Sequence, residues 1–213
     1  MTRVKICGLK TEEALDAAID AGADYVGLVF FPKSPRHVST RLAAKLAARV
    51  PDRVTKTALV VNPTDAELSD ILNAVPIDLI QLHGSETPER AAEIRAKFSK
   101  PVMKALGIAE HADLAKLDAY TDHVDQILVD AKPPSNGPLP GGNGLAFDWT
   151  LISDQKWQTP WMLAGGLTPK NVASAIKLTA GDQVDVSSGV EASPGEKSAT
   201  LIREFISAAK AAE

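Results

Sequence analysis

Short apolar runs alternate with longer segments of helical periodicity along almost the whole chain. The runs are rich in β-branched residues, which is typical of strands, and the segments between them are more polar. We predict eight strands, at Arg3–Cys7, Tyr25–Phe30, Thr57–Val61, Leu79–His83, Val102–Leu106, Gln126–Asp130, Trp161–Leu163 and Val184–Ser187.

The segments between the strands are rich in alanine, leucine and charged residues, and each suits an amphipathic helix. We predict helices at Arg41–Val50, Ala66–Val75, Pro88–Phe98, Asp113–Tyr120, Asn171–Thr179 and Thr200–Ala212. Thr64 and Glu67 have the spacing of a capping box, and Pro88 and Pro169 suit the first turns of two other helices. These signals mark where individual helices begin.

One connection is much longer than the others. It runs from Pro133 to Phe147 and is rich in proline and glycine, so it is too long for a plain connector. In the middle of a domain such a segment indicates a lid, with Gly141, Gly142 and Gly144 as its hinges.

The regular alternation of strand and helix predicts a parallel sheet with helices outside it. Eight such units favour a closed (β/α)₈ barrel, known as a TIM barrel, formed by residues 1–213 as a single domain. The alternative is an open doubly wound sheet. That fold usually has a glycine-rich fingerprint after its first strand, and Cys7-Gly8-Leu9-Lys10 is not one.

Composition restricts the possible partners. The 213 residues are 45% apolar, and 23 basic residues stand against 27 acidic ones with no basic block, so nucleic acid is not expected as a partner. The single cysteine cannot form an internal disulfide, and no apolar stretch approaches the length of a membrane span. We therefore expect a cytoplasmic protein that acts on a small molecule.

Cys7 is the first candidate for chemistry, because it ends the first predicted strand and is followed by Gly8. In a barrel, the carboxyl ends of the strands surround the active site. An ionised thiol there is a good nucleophile or base. Lys5 should point to the same side of the strand, where a buried ammonium group favours the thiolate. The alternative is that Cys7 is a small buried hydrophobic residue.

Glycine-rich turns follow the seventh and eighth predicted strands. They contain Gly165 and Gly166 in one turn, and Asp185 to Gly189, including Ser187 and Ser188, in the other. Turns at these two places commonly offer backbone N–H groups and a helix N-terminus to a phosphate. The expected ligand is therefore a phosphorylated small molecule, although the glycines could also serve only to make tight turns.

Asp130 ends an apolar run, where an unpaired carboxylate would be costly. A salt bridge with Lys132 would account for it. Alternatively, Asp130 and Cys7 face each other across the mouth of the barrel and act as acid and base on opposite faces of a sugar.

These residues belong to an ordered set of motifs that spans nearly the whole chain. The motifs are Lys5-Ile6-Cys7-Gly8, Gly22-Ala23-Asp24, Pro32-Lys33-Ser34-Pro35-Arg36, Gln81-Leu82-His83-Gly84, Leu128-Val129-Asp130, Phe147-Asp148-Trp149, Gly165-Gly166-Leu167 and Asp185-Val186-Ser187-Ser188-Gly189-Val190-Glu191. The set resembles the phosphoribosylanthranilate isomerase family of tryptophan biosynthesis.

The resemblance implies an Amadori rearrangement of N-(5-phosphoribosyl)anthranilate that needs no cofactor and no metal. It implies that Asp130 protonates the furanose ring oxygen, that Cys7 removes the C2′ proton, and that Arg36 holds the anthranilate carboxylate. Gln81 and His83 would flank the ring or support the acid. The enzyme would be a monomer or a homodimer, and its long loop is richer in proline than is usual in the family.

Other classes of protein fit less well. Metal-dependent epimerases need histidine and carboxylate ligands, and the four histidines show no ligand spacing. The two-carboxylate isomerases of histidine biosynthesis would have an aspartate in place of Cys7. A barrel that only binds a metabolite, or a scaffold domain, would not need Cys7, Asp130 and Arg36 together.

Overall fold

A closed ring of eight parallel strands forms the centre of the protein in a computed structural model, which describes residues 1–132, 141, 142, 144, 146–153 and 155–212. Each strand pairs with the next along the chain, and the last pairs with the first. The strands are β1 (Arg3–Cys7), β2 (Tyr25–Phe30), β3 (Thr55–Val60), β4 (Leu79–Leu82), β5 (Val102–Ile108), β6 (Gln126–Ala131), β7 (Trp161–Leu163) and β8 (Gln183–Val186). The predicted (β/α)₈ barrel is confirmed.

Helices lie between successive strands and pack on the outside of the ring. They are α1 (Glu12–Asp20), α2 (Thr40–Ala47), α3 (Asp65–Ala74), α4 (Pro88–Phe98), α5 (Ala115–Asp118), α6 (Val172–Thr179) and α7 (Ala199–Lys210). Short 3₁₀ helices cover His111–Leu114, Trp149–Ile152 and Ser188–Val190. A small antiparallel hairpin, β9 (Glu191–Ser193) with β10 (Glu196–Lys197), follows the last of these.

The helix boundaries largely follow local hydrogen bonding. The capping box before α3 is confirmed, because Thr64 Oγ1 accepts from Glu67 N–H at 3.2 Å and Glu67 Oε2 accepts from Thr64 N–H at 2.7 Å. Pro88 opens α4 as predicted. The prediction for Pro169 is wrong: it lies in a turn before α6, which Asn171 closes by accepting from Thr168 N–H at 2.7 Å.

Three predicted strands have the observed bounds, and the other ends move by one or two residues. Both ends of β3 are corrected, because it begins at Thr55 rather than Thr57 and ends at Val60 rather than Val61. The polar pair at its start is held in the sheet because Thr55 and Lys56 lie in register with Tyr25 and Val26 of β2. His83 and Ser187 lie just beyond their strands. Helix α1 was not among the predicted helices, although Thr11 caps it by accepting from Ala14 N–H at 3.3 Å.

The core has two parts, one on each side of the strand wall. The larger part lies between the strands and the helices. The smaller part fills the barrel interior with Tyr25, Leu79, Met103, Leu128 and Met162, and with small alanines nearer the carboxyl end. Because parallel strands alternate their side chains between the two sides, the interior residues follow a period of two. The interior thus leaves space above its small residues, at the carboxyl ends of the strands.

The predicted lid between Pro133 and Phe147 lies mostly outside the described residues. Of its predicted hinges, Gly141, Gly142 and Gly144 are described, and all three line the cavity at the carboxyl ends of the strands. No helix within the described part of the chain is both long and apolar enough to span a bilayer.

Candidate active site

A cavity of about 790 Å³, including space that is open to solvent, lies at the carboxyl ends of the strands. This is the end at which barrel proteins place their active sites. Most of the residues singled out from the sequence line it together: Cys7, Arg36, His83, Asp130, Gly165, Gly166, Asp185, Ser187, Ser188 and Gly189. Apolar side chains of Val29, Phe31, Leu59 and Val61 form one of its walls.

Cys7 lies at the end of β1, on the floor of the cavity, and only 3% of it is exposed. Its neighbour on β2 is Gly27, where a Cβ atom would stand 2.9 Å from Cys7 Sγ. Burial and, to a lesser extent, Asp185 raise the pKa of the thiol, whereas Lys5 and Lys197 lower it. The net result is a pKa above the ordinary value of a cysteine. Lys5 favours the thiolate as predicted, but burial has the larger effect.

Lys5 is wholly buried in the barrel interior and donates to Asp185 Oδ1 at 2.9 Å. Burial lowers the pKa of this lysine, but Asp185 and Cys7 together outweigh burial and leave the pKa above its usual value. Lys5 therefore remains an ammonium group beside the thiol. The second carboxylate oxygen of Asp185 has no partner among the described residues, and the residue lines the cavity.

Asp130 lies on β6 at the wall of the cavity. Its Oδ1 accepts from Ala131 N–H at 2.8 Å, and its Oδ2 stands 3.4 Å from Nε2 of His83. The alternative of a salt bridge with Lys132 is wrong, because Lys132 Nζ donates to both oxygens of Asp113 at 3.0 and 3.2 Å. Asp130 is thus left facing the cavity and His83.

Gln81 does not line the cavity, because its side chain is wholly buried below His83. Its Nε2 lies 3.0 Å from Nδ1 of His83. When the amide donates, Nδ1 accepts, and the imidazole proton resides on Nε2, toward Asp130. Of these two residues only His83 lines the cavity, and Gln81 contacts His83 from beneath, so a direct contact of Gln81 with a ligand stays a prediction.

Arg36, from the loop after β2, is held in a fixed position at the cavity wall. Its Nε and Nη2 donate to the two oxygens of Glu191 at 2.7 and 2.9 Å, and Nη2 also donates to the carbonyl of Gly142 at 3.2 Å. The stem of Arg36 packs over Gly8, where φ is +82° and a Cβ would come within 2.6 Å of Arg36 Cδ. Glycine is required at that turn for both reasons.

The turns after β7 and β8 keep backbone groups close to the cavity. Gly165 and Gly166 have φ values of +82° and +64°, and their N–H groups bond to no other described residue. A Cβ atom on Gly189 would collide with the carbonyl of Leu167. The N–H groups of Gly165 and Gly166 thus have no acceptor among the described residues, so an anion is a suitable partner for them.

Two charged residues of the site were missed as site residues by sequence reasoning. Lys197 is buried and donates to Glu191 Oε1 at 2.7 Å, to Ser187 O at 2.9 Å and to Ser187 Oγ at 3.2 Å. Burial raises the pKa of Glu191, but Arg36 and Lys197 outweigh burial and lower it to about 2. Glu191 is the last residue of the motif that begins at Asp185, so the sequence contains a signal for it. Lys197 lies in a polar stretch that belongs to none of the motifs.

Ser187 links this cluster to β1, because its hydroxyl donates to the carbonyl of Cys7 at 3.1 Å. The hydroxyl is therefore engaged within the protein, and the backbone of the turn is the part left for a ligand.

No group of three or more histidine, cysteine or acidic side chains suited to a metal occurs within the described residues.

The protein is a closed barrel with a polar cavity at the carboxyl ends of its strands and glycine turns after β7 and β8. These are the features of a (β/α)₈-barrel enzyme. A sequence model of one such family, described as N-(5'phosphoribosyl)anthranilate (PRA) isomerase, matches residues 4–208. The chain belongs to this family, and the resemblance found in its motifs is confirmed.

Individual relatives agree with this assignment. The N-(5'-phosphoribosyl)anthranilate isomerase of Paracoccus denitrificans is 58% identical over 208 residues, which cover 98% of this chain and 97% of the relative. The crystal structure of phosphoribosyl anthranilate isomerase from Thermotoga maritima is 37% identical, with a TM-score of 0.89 and 99% coverage of both chains. A phosphoribosyl anthranilate isomerase in complex with reduced 1-(o-carboxyphenylamino)-1-deoxyribulose 5-phosphate is 35% identical, with a TM-score of 0.84 and 99% coverage of both.

Proposed function

We propose that the protein, as one domain spanning residues 1–213, isomerises N-(5-phosphoribosyl)anthranilate to 1-(2-carboxyphenylamino)-1-deoxyribulose 5-phosphate in tryptophan biosynthesis. The observation that carries the proposal is that Cys7 and Asp130, one thiol and one carboxylate, line the same cavity together with Arg36. Family membership supports the same reaction. The reaction needs no cofactor, and we expect a monomer or homodimer in the cytoplasm that binds neither nucleic acid nor membranes.

The two anionic ends of the substrate have separate partners in this proposal. The phosphate binds the N–H groups of the turns that contain Gly165, Gly166, Ser188 and Gly189, as phosphates do at such turns. The anthranilate carboxylate binds the guanidinium of Arg36, whose planar donors suit a carboxylate. The apolar wall formed by Val29 and Leu59 suits the aromatic ring or the sugar carbons.

Asp130 begins the chemistry as a general acid. It gives its proton to the furanose ring oxygen, the C1′–O bond breaks, and the anthranilate nitrogen forms a double bond to C1′. His83 holds the carboxyl group from one side at 3.4 Å, and Gln81 fixes the orientation of His83. These two residues therefore support the acid.

Cys7 continues as the general base. Its thiolate removes the proton from C2′, the electrons move toward the iminium nitrogen, and the enol-amine tautomerises to the ketone product. Burial disfavours the thiolate, but Lys5, Lys197 and the cationic iminium favour it. The free oxygen of Asp185 is suited to accept a hydrogen bond from a sugar hydroxyl.

The test mixes purified protein with freshly generated phosphoribosylanthranilate and follows the decay of anthranilate-type fluorescence. We expect rapid decay with the wild type and a decay slower by roughly 10²-fold or more with Cys7→Ser. Circular dichroism of both proteins shows that each is folded. No acceleration by well-folded wild type would contradict the proposal and indicate another phosphosugar or a binding protein.

A further inference from the structure

The guanidinium of Arg36 is held by a buried carboxylate that none of the roles above uses. We infer that Glu191 is a positioning residue, which fixes the plane of Arg36 and thereby determines the preference of the cavity for a ligand that carries a carboxylate. This inference rests on the proposed function.

The contact between the two residues is planar and double. Oε1 of Glu191 accepts from Nε at 2.7 Å and Oε2 accepts from Nη2 at 2.9 Å, which is the paired geometry that fixes a guanidinium in a plane. Only 7% of the Arg36 side chain and 5% of the Glu191 side chain are exposed. A pair with so little free surface cannot swing without opening the cavity wall.

The contact also decides which side of the guanidinium is left for a ligand. Nη2 donates its second hydrogen bond to the carbonyl of Gly142 at 3.2 Å, and Nη1 has no acceptor among the described residues. A Cβ atom on Gly142 would stand 2.7 Å from Nη1. The carboxylate of a ligand must therefore approach Nη1, in space that is open because residue 142 is glycine.

Glu191 is itself immobilised from two other directions. Lys197 Nζ donates to Oε1 at 2.7 Å, and the N–H of Gly195, in the turn between β9 and β10, donates to Oε2 at 3.1 Å. Lys197 also donates to the carbonyl of Ser187 at 2.9 Å. The cluster thus joins the loop that holds Arg36 to the turn after β8, and it relates the positions of the two anion sites.

If Glu191 acted only through its charge, its replacement would have the opposite effect on carboxylate binding from the effect expected if it positions Arg36. Arg36 and Lys197 with Glu191 carry one net positive charge, so replacing Glu191 by neutral glutamine increases the attraction for an anion. If Glu191 acts by orientation, Glu191→Gln weakens carboxylate binding instead. Glutamine keeps one accepting oxygen, but its NH₂ group faces an N–H donor of Arg36 and breaks the double contact.

The experiment measures, by titration calorimetry, the Kd of reduced 1-(o-carboxyphenylamino)-1-deoxyribulose 5-phosphate and of the same compound without the carboxylate. The wild type should favour the carboxylated ligand. Glu191→Gln should weaken that ligand alone by roughly 10- to 100-fold, the range of a lost charged hydrogen bond. In turnover, the KM for phosphoribosylanthranilate should rise while kcat changes by less than about threefold.

The matched control is Glu86→Gln. Glu86 is an equally buried carboxylate that accepts from Lys104 at 2.8 Å, and it does not line the cavity. This variant should lose stability but keep the ratio of the two Kd values. In an Arg36→Ala background, Glu191→Gln should cause no further change in the ratio, because the two residues act as one unit.

Each outcome bears on the inference. An unchanged ratio in Glu191→Gln, or an equal loss of the ratio in Glu86→Gln, would overturn it. If Glu191→Gln does not fold, Glu191→Asp replaces it, since the shorter side chain keeps the charge but cannot hold both Nε and Nη2 of Arg36, and it should reduce the ratio. An unchanged ratio there would also overturn the inference. Absence of turnover in the wild type concerns the proposed reaction, because the calorimetric ratio does not depend on catalysis.

Discussion

Two strands of this barrel, β1 and β5, each carry an almost completely buried lysine, and the two side chains lie on opposite sides of the strand wall. Lys5 points into the interior beneath Cys7 and donates to Asp185 at 2.9 Å. Lys104 lies between two interior residues of β5, so it points outward, where it donates to Glu86 at 2.8 Å. Both pairs have the same chemistry and nearly the same burial, yet only the first pair adjoins the cavity.

The two sites differ in the group that each lysine contacts besides its carboxylate, which is Cys7 for Lys5 and the carbonyl of Gly84 for Lys104. Asp185 and Cys7 overcome the effect of burial and raise the pKa of Lys5, whereas burial outweighs Glu86 and lowers the pKa of Lys104. Lys104 instead satisfies the carbonyl of Gly84 at 2.7 Å. A buried ion pair is therefore not by itself a sign of function. Its contact with a reactive group at a cavity is the informative feature.

The largest expected effect comes from removing that reactive group. Cys7→Ser should lower kcat by roughly 10²- to 10⁴-fold, because serine is a far weaker base than a thiolate held between ammonium groups. Kd for the reduced product analogue should stay within about threefold, since Cys7 supplies little of the binding. Full activity with only a lower Tm would mean that Cys7 is structural.

Lys5→Met and Lys104→Met test the comparison directly. Each should cost about 3–5 kcal/mol in the free energy of unfolding, measured with urea, because each leaves a buried carboxylate without its partner. Only Lys5→Met should also move the acid limb of the kcat/KM profile to higher pH, since Lys5 lowers the pKa of Cys7. Equal pH profiles in the two variants would remove the distinction between the pairs.

The pH dependence of stability extends the comparison to Glu191. Its folded pKa is about 2, below the ordinary value of 4.5, so its contribution to stability is present above pH 4.5 and is lost as the pH falls toward 2. The difference in unfolding free energy between wild type and Glu191→Gln should therefore shrink over that range. A difference that is constant from pH 5 to pH 2.5 would contradict the assigned ion pairs.

The smallest effect is expected from two glycines with similar backbone angles. Gly165 has φ of +82° beside Asp130, and Gly22 has φ of +93° far from the cavity. Alanine at Gly22 should cost about 1–3 kcal/mol in unfolding free energy through backbone strain, and alanine at Gly165 should cost more, because its Cβ would also stand 2.7 Å from Ala131 N. Only Gly165→Ala should lower kcat, since its Cβ would stand 3.2 Å from Asp130 Oδ1. Equal kcat in both variants would show that this turn tolerates displacement.

The strand pattern predicts the barrel well because each strand is short, apolar and separated by a helix. The bounds of Arg3–Cys7 follow from Gly8, which ends the strand by its positive φ. The bounds of β3 could not be read in the same way. Thr55 and Lys56 look like loop residues, and they join the sheet only because β2 offers backbone partners and Asp78 binds Lys56 at 3.0 Å.

What the sequence determined by itself is which residues stand at the strand ends, and hence that Cys7, Asp130 and the glycine turns share one cavity. Their order follows from local patterns with periods of two and 3.6 residues. Only the tertiary structure decided the partners of the charged side chains. Lys132 binds Asp113 rather than its close neighbour Asp130, and Arg36 binds Glu191, which lies 155 residues further along the chain. Such choices depend on distances between loops, which no local pattern encodes.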